Sequence, residues 1–170
     1  MIEFFEQETL ETCGASIARN ILYNIYNIKE GEKNLVDIIK YYNPSRDIKR
    51  KGIGVNDIAN LGRLFGLKTF SRKHGNINEI KTLIDDDMWP IIHRPLGFNE
   101  DYDGHYVLSY FYNHSIYVFD PYSEGGGIKT ETYEEFNNKW NYPKDSKNPE
   151  TWFMFFYKNN IKIPFKGKYL

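Results

Sequence analysis

The sequence predicts an α+β fold in which N-terminal helices pack on a C-terminal antiparallel β-sheet. Three observations carry this expectation. In the first half, apolar residues recur at three- and four-residue spacing, the mark of helices with one buried face. From Trp89 onward they fall instead in short aromatic and β-branched runs bounded by Pro, Gly and Asn. One of these, the run from Trp152 to Tyr157, is apolar throughout and requires cover on both faces.

The first helix starts at Cys13 and buries Ile17, Ala18, Ile21, Leu22 and Ile25. A second runs from Asn34 to Tyr42 through Leu35, Ile38 and Ile39. A loop with Pro44 follows, carrying Arg46, Lys49, Arg50 and Lys51, which reads as a solvated basic surface. Val55, Ile58, Leu61 and Phe65 mark a third helix, ended by Gly66. The fourth, Asn76 to Asp85, shows Ile77, Ile80, Leu83 and Ile84 on one side. Then come a short strand at Trp89–His93 and two longer ones, Tyr106–Tyr112 and Ile116–Phe119, joined by hairpin chemistry at Asn113, His114 and Ser115. Gly125–Gly127 reads as a flexible loop, without the pattern of a phosphate-binding loop. Thr132 and Glu135 form a capping box that opens a helix ending at Trp140. Residues 158–170 are expected to be a loosely packed extension of one domain spanning 1–170.

Composition narrows the class. The chain has 170 residues, 41% hydrophobic and 26% charged, an ordinary globular balance. A net charge of −1 gives no global field for nucleic acid or an anionic membrane. No run approaches the ~18 apolar residues of a membrane span, and the acidic amino terminus resembles neither a signal peptide nor an anchor. Cys13 is the single cysteine, so no internal disulfide forms and a cytoplasmic location is expected. The oligomeric state is not legible.

Cys13 lies at the start of its helix, where the dipole and free N–H groups favour a thiolate. Gly14 beside it leaves room for a substrate backbone. On position alone the thiol reads equally as a buried structural cysteine. Of the four histidines, His74 and His114 sit in turns and read as solvated, and His93 reads as structural. His105 differs. It stands at the mouth of a strand behind Gly104, where an imidazole could take a thiol proton. Asp120 follows fifteen residues later, at the end of the next strand. Hairpin pairing sets it near His105, able to accept the second ring N–H and fix the tautomer. Cys13, His105 and Asp120 lack the close pairs of a zinc site, so no metal is expected, nor any cofactor.

This ordered set resembles the bacteriocin-processing peptidases that cut leader peptides after a double glycine, a family of papain-like cysteine peptidases. The matching elements are Gln7 with Cys13-Gly14-Ala15, Gly54-Val55, and Leu64 to Leu67. They continue with His105 to Leu108, Asp120-Pro121 and the Tyr133–Trp140 helix. The resemblance implies a papain-like fold, a peptide or protein substrate, and a Cys13–His105–Asp120 triad. Gln7, six residues before Cys13, would join the Cys13 N–H in an oxyanion hole. It implies a thioester mechanism at a peptide or isopeptide bond that follows a small residue such as Gly. Where relatives often carry an aspartate before the nucleophile, this chain has Thr12. The alternatives are a silent docking domain, which would lose the cysteine or histidine retained here, and an acyl transferase or deamidase on the same residues.

Overall fold

The computed structural model describes residues 2–85, 88–95, 104–112, 115–122, 124–141, 151–158 and 163–170. Chain order runs α1 (Cys13–Tyr26), α2 (Glu32–Tyr42), α3 (Ile48–Lys51), α4 (Val55–Leu64), β1 (Lys68–Arg72) and α5 (Ile77–Asp85). It continues with β2 (Ile91–Pro95), β3 (Gly104–Tyr112), β4 (Ser115–Asp120), β5 (Gly127–Glu131), α6 (Tyr133–Trp140), β6 (Phe153–Tyr157) and β7 (Lys168–Tyr169). The strands form one seven-stranded sheet in the order β5-β4-β3-β2-β6-β1-β7, and every neighbouring pair is antiparallel.

The apolar run that became β6 lies inside this sheet with all five residues buried. Met154 and Phe156 point into a core shared with Ile17, Ile21 and Leu22 of α1, Leu35 of α2 and Leu61 of α4. Phe153, Phe155 and Tyr157 point into a second core with Ile80 and Leu83 of α5 and Phe136 and Trp140 of α6. Alternation along one strand therefore feeds helices on both sides. The expected cover on both faces is present, and the α+β class holds.

Several local readings change. Residues 68–72, where the sequence marks no element, hold Phe70 as their lone apolar residue. They form β1, since β6 and β7 supply hydrogen-bond partners on both sides. The basic loop contains the one-turn helix α3, and Arg46 folds back to donate to the carbonyls of Gly52 at 2.8 Å and Lys51 at 2.9 Å. Gly125–Gly127, expected to be flexible, makes a tight turn into β5. A Cβ on Gly126 would come within 2.0 Å of the Tyr122 carbonyl oxygen. Residues 163–170 are held more firmly than the sequence suggests: β7 pairs with β1, and the Phe165 ring lies 5.8 Å from Phe70 and 6.0 Å from Phe153. The hairpin turn at Asn113 and His114 lies outside the described residues. Other readings hold. Gly66 takes φ +73° past α4, and Thr132 and Glu135 make both bonds of the capping box.

A buried ion pair ties the α5/α6 face together. Arg94 of β2 donates to both carboxylate oxygens of Glu131 in β5, at 3.1 and 2.7 Å, and Lys139 of α6 adds a third bond at 2.9 Å. Burial would raise the Glu131 pKa, but the bonds and charges of Arg94 and Lys139 outweigh it and hold the carboxyl below its ordinary value. Among the described residues, no helix is long and apolar enough to cross a membrane.

Phe155 is fully buried, so Phe155→Ala should destabilise the fold by about 3–5 kcal/mol in chemical denaturation. Tyr41, 79% exposed, should tolerate Ala within about 0.5 kcal/mol in the same measurement.

Candidate active site

Residues 2–12 form no helix or strand, so their backbone groups must find other partners. α1 provides them from Ser16, Asn20 and Asn24, spaced four apart on one side of the helix. Asn20 accepts from Phe5 N–H at 2.9 Å and donates back to the Phe5 carbonyl at 2.9 Å. Ser16 donates to the same carbonyl at 2.9 Å. Asn24 accepts from Glu3 N–H at 3.0 Å and donates to its carbonyl at 2.7 Å. Further along this strap, Gln7 N–H donates to the Pro121 carbonyl at 2.8 Å. That bond joins the strap to the end of β4, beside Asp120.

Cys13 is the first residue of α1 and buried. Thr12 is the N-cap, and its carbonyl accepts from Ala15 and Ser16 N–H at 2.9 and 3.0 Å. Its side chain makes no cap bond. Helix geometry gives Cys13 and Gly14 N–H no acceptor within α1, so both remain as donors at the helix head. The reading of Gly14 as room for substrate is corrected. A Cβ there would meet Ile53 Cγ2 at 3.0 Å and Ile58 Cδ1 at 3.1 Å, so its missing side chain serves core packing.

His105 and Asp120 meet. Leu108 registers with Phe119 across β3 and β4; extending by one pair sets Asp120 opposite Val107, diagonal to His105. His105 Nε2 lies 2.6 Å from Asp120 Oδ1, which also accepts from Tyr122 N–H at 3.0 Å. Cys13 also lies near enough to His105 to act on its ring. Since Nε2 is engaged by Asp120, Nδ1 is the nitrogen left for the thiol. Burial alone would lower the His105 pKa. The bond to Asp120 and the nearness of Cys13, with the charges of both, outweigh it, so the imidazole is pushed up from 6.5 to about 9. Asp120 shows the complementary balance: burial would raise it, but His105, Tyr122 N–H and Lys129 hold it below its ordinary value.

Gln7 is buried rather than on the surface. Its Nε2 donates to the Leu10 carbonyl at 3.1 Å, and its Oε1 has no hydrogen-bond partner. A carbonyl needs a donor, so the amide nitrogen is the atom that faces Leu10, with one N–H to spare. His74 is exposed at φ 54°, as a solvated loop residue should be. The His93 ring lies 5.3 Å from Tyr106 and 6.3 Å from Trp152 in an aromatic cluster. Among the described residues, no group of three His, Cys, Asp or Glu side chains could hold a metal ion.

Sequence reasoning overlooked Ser16, Asn20 and Glu32, all buried. For the first two a signal was available: polar residues four apart, interrupting an otherwise apolar face. Glu32, whose Oε1 accepts from Glu8 N–H and from the Thr12 hydroxyl, left no such trace.

Helices packed against one antiparallel sheet make this an α+β fold. The chain belongs to the Peptidase_C39 like family, whose sequence profile matches residues 1–148. No curated protein matches it. Among solved structures, it is similar to the peptidase domain of Streptococcus ComA, a bifunctional ABC transporter involved in a quorum-sensing pathway. The TM-score is 0.64 at 16% identity, over 94% of this chain and 100% of that one. It is also similar to a protein described as a C39-like peptidase from Bacillus anthracis, with TM-score 0.63 at 15% identity, over 94% and 96% of the two chains.

The His105 pairing has a measurable pH signature. Because its folded pKa lies above the unfolded value, its contribution to stability is complete below about pH 6.5 and is lost as pH rises through about 9. The stability difference between wild type and His105→Ala should therefore shrink across that window. NMR should find the ring titrating near 9, and lower in Asp120→Ala.

Proposed function

We propose that this protein is a cysteine peptidase that hydrolyses a peptide or isopeptide bond through a thioester on Cys13. The observation that carries the reading is His105, bonded through Nε2 to Asp120 and set beside Cys13 at a helix head. As an imidazolium, His105 holds the proton that the thiol gives up, and Asp120 stabilises the charged ring. Sulfur attacks the carbonyl carbon, and the carbonyl oxygen becomes an oxyanion that takes N–H bonds from Cys13 and Gln7. The C–N bond breaks as His105 gives its proton to the leaving amine. Neutral His105 then takes a proton from water, hydroxide adds to the thioester, and the Cys13 sulfur leaves.

The substrate is a peptide with a small residue such as Gly before the cleaved bond, a reading supported by the family. A free thiol suits the reducing cytoplasm. No metal or cofactor takes part in these steps. An amine in place of water would give acyl transfer on the same residues, so product analysis should follow new termini and new amide bonds together.

The test is hydrolysis of peptides with internal Gly, followed by mass spectrometry. Cys13→Ser should abolish it, and iodoacetamide should label Cys13 faster in the folded protein than in denaturant. Cleavage by Cys13→Ser at the wild-type rate would overturn the reading.

Two further outcomes are expected. Asp120→Ala should lose much more turnover than Asp120→Asn, because an amide oxygen still accepts the ring N–H; equal activity of Ala and wild type would leave a dyad. Gln7→Ala should lower kcat by about 10²–10³ with little change in KM, since its bond forms mainly in the transition state. Labelling of Cys13 should survive that change, because alkylation builds no oxyanion.

A further inference from the structure

Glu32 sits in the first turn of α2, a helix anchored in the core by Leu35 and Ile39. It is 1% exposed. Its side chain reaches away from α2 to the strap that carries Gln7. There Oε1 accepts from Glu8 N–H at 2.9 Å and from the Thr12 hydroxyl at 2.5 Å. Glu8 follows Gln7, and Thr12 precedes Cys13. One oxygen thus grips both ends of the segment between the two groups assigned above to the oxyanion.

The grip has a chemical consequence at Thr12. Its hydroxyl oxygen accepts from Thr9 N–H at 3.2 Å, and its single proton has three acceptors in reach: the Thr9 hydroxyl at 3.1 Å, the Thr9 carbonyl at 2.9 Å and Glu32 at 2.5 Å. The shortest contact takes the proton. A threonine at an N-cap ordinarily turns its oxygen to the N–H groups of the helix's first turn. Here it is held away, and the helix head stays open. Glu32 Oε2 is meanwhile buried with no hydrogen-bond partner, an unfavourable placement. Burial raises the Glu32 pKa despite the lowering pull of the bonds from Thr12 and Glu8. The nearby charges are Glu8 and Arg19, themselves 3.8 Å apart.

We infer that Glu32 is a positioning residue that holds Gln7 and the Cys13 N–H in register by fastening Glu8 and Thr12. This rests on the catalytic reading proposed above. Without the carboxyl, the strap is freed between its bond to Pro121 and the helix, and the Thr12 hydroxyl can swing onto the first turn. Both changes act on the transition state and leave peptide binding nearly untouched.

The experiment uses the full chain as wild type, Glu32→Ala, Glu32→Gln, Thr12→Val and Cys13→Ser. It measures peptide hydrolysis, the iodoacetamide rate at Cys13 and hydrogen exchange at the Glu8 amide. Glu32→Ala should lower kcat by about 10–100-fold with KM within about twofold, the effect of small misplacement. Its Glu8 amide should exchange faster, while Cys13 alkylation stays at the wild-type rate. Glu32→Gln keeps an acceptor oxygen and should recover kcat to within about fivefold of wild type. Thr12→Val keeps Glu32 and loses the hydroxyl; it should reproduce the fall in kcat even if Glu32→Ala does not fold. The inference is overturned by wild-type kcat and wild-type Glu8 exchange in Glu32→Ala or Thr12→Val with Cys13→Ser inactive. It is equally overturned if Glu32→Gln falls as far as Ala. Wild-type cleavage by Cys13→Ser instead sinks the catalytic reading, and the exchange data still decide whether Glu32 holds the strap.

Discussion

Residues 2–12 have no ladder of their own, and the buried groups of that backbone must be satisfied by side chains. That constraint shapes the half of the molecule around Cys13. It explains why α1 carries Ser16 and Asn20 fully buried on a helix whose other buried positions are apolar. With one side given to the strap, only the remainder of α1 can face the sheet, where Ile17, Ile21 and Leu22 enter the core. The strap reaches β4 through Gln7 N–H and Pro121, next to the residue that orients His105. Helix head, strap and hairpin end are thereby one hydrogen-bonded unit, although they come from distant parts of the chain.

Burial sharpens each charge interaction within that unit. In a low-dielectric setting a bonded ion pair strengthens, and an unpaired one becomes costly. His105 is 3% exposed, yet its proton is held more firmly than in water because Asp120 and Cys13 outweigh desolvation. Arg94, the register partner of His105 on β2, meets the same demand with a bidentate pair to Glu131. The sheet thus carries buried charge near the start of β3, each charge answered by a partner from another strand.

Much of the fold was legible because strong periodicity and strong punctuation agreed. α1 showed apolar spacing, α4 the same spacing with a terminal Gly, α6 a capping box, and β6 was apolar at every position. β1 and β5 were missed because strand identity there comes from neighbours: Lys68 to Arg72 has a single apolar residue, and Gly127 to Glu131 buries its glutamate and exposes Ile128. At the candidate site, the meeting of His105 with Asp120 followed from hairpin pairing, which sequence can express. The settings of Gly14 and Glu32 did not. Whether a missing Cβ admits a ligand or a neighbouring isoleucine depends on how separate helices pack, and a carboxyl reaching from α2 to residues 8 and 12 has no sequence periodicity.

The two-residue strand β7 occupies the outer flank of β1. Without it, β1 would offer a row of unpaired N–H and carbonyl groups beside the aromatic interior of the sheet, a template for a strand from another molecule. β5 forms the opposite border and carries the long cationic side chain of Lys129. Among the described residues one border is thus short and the other bears a charge, two features by which sheets discourage pairing with a foreign strand.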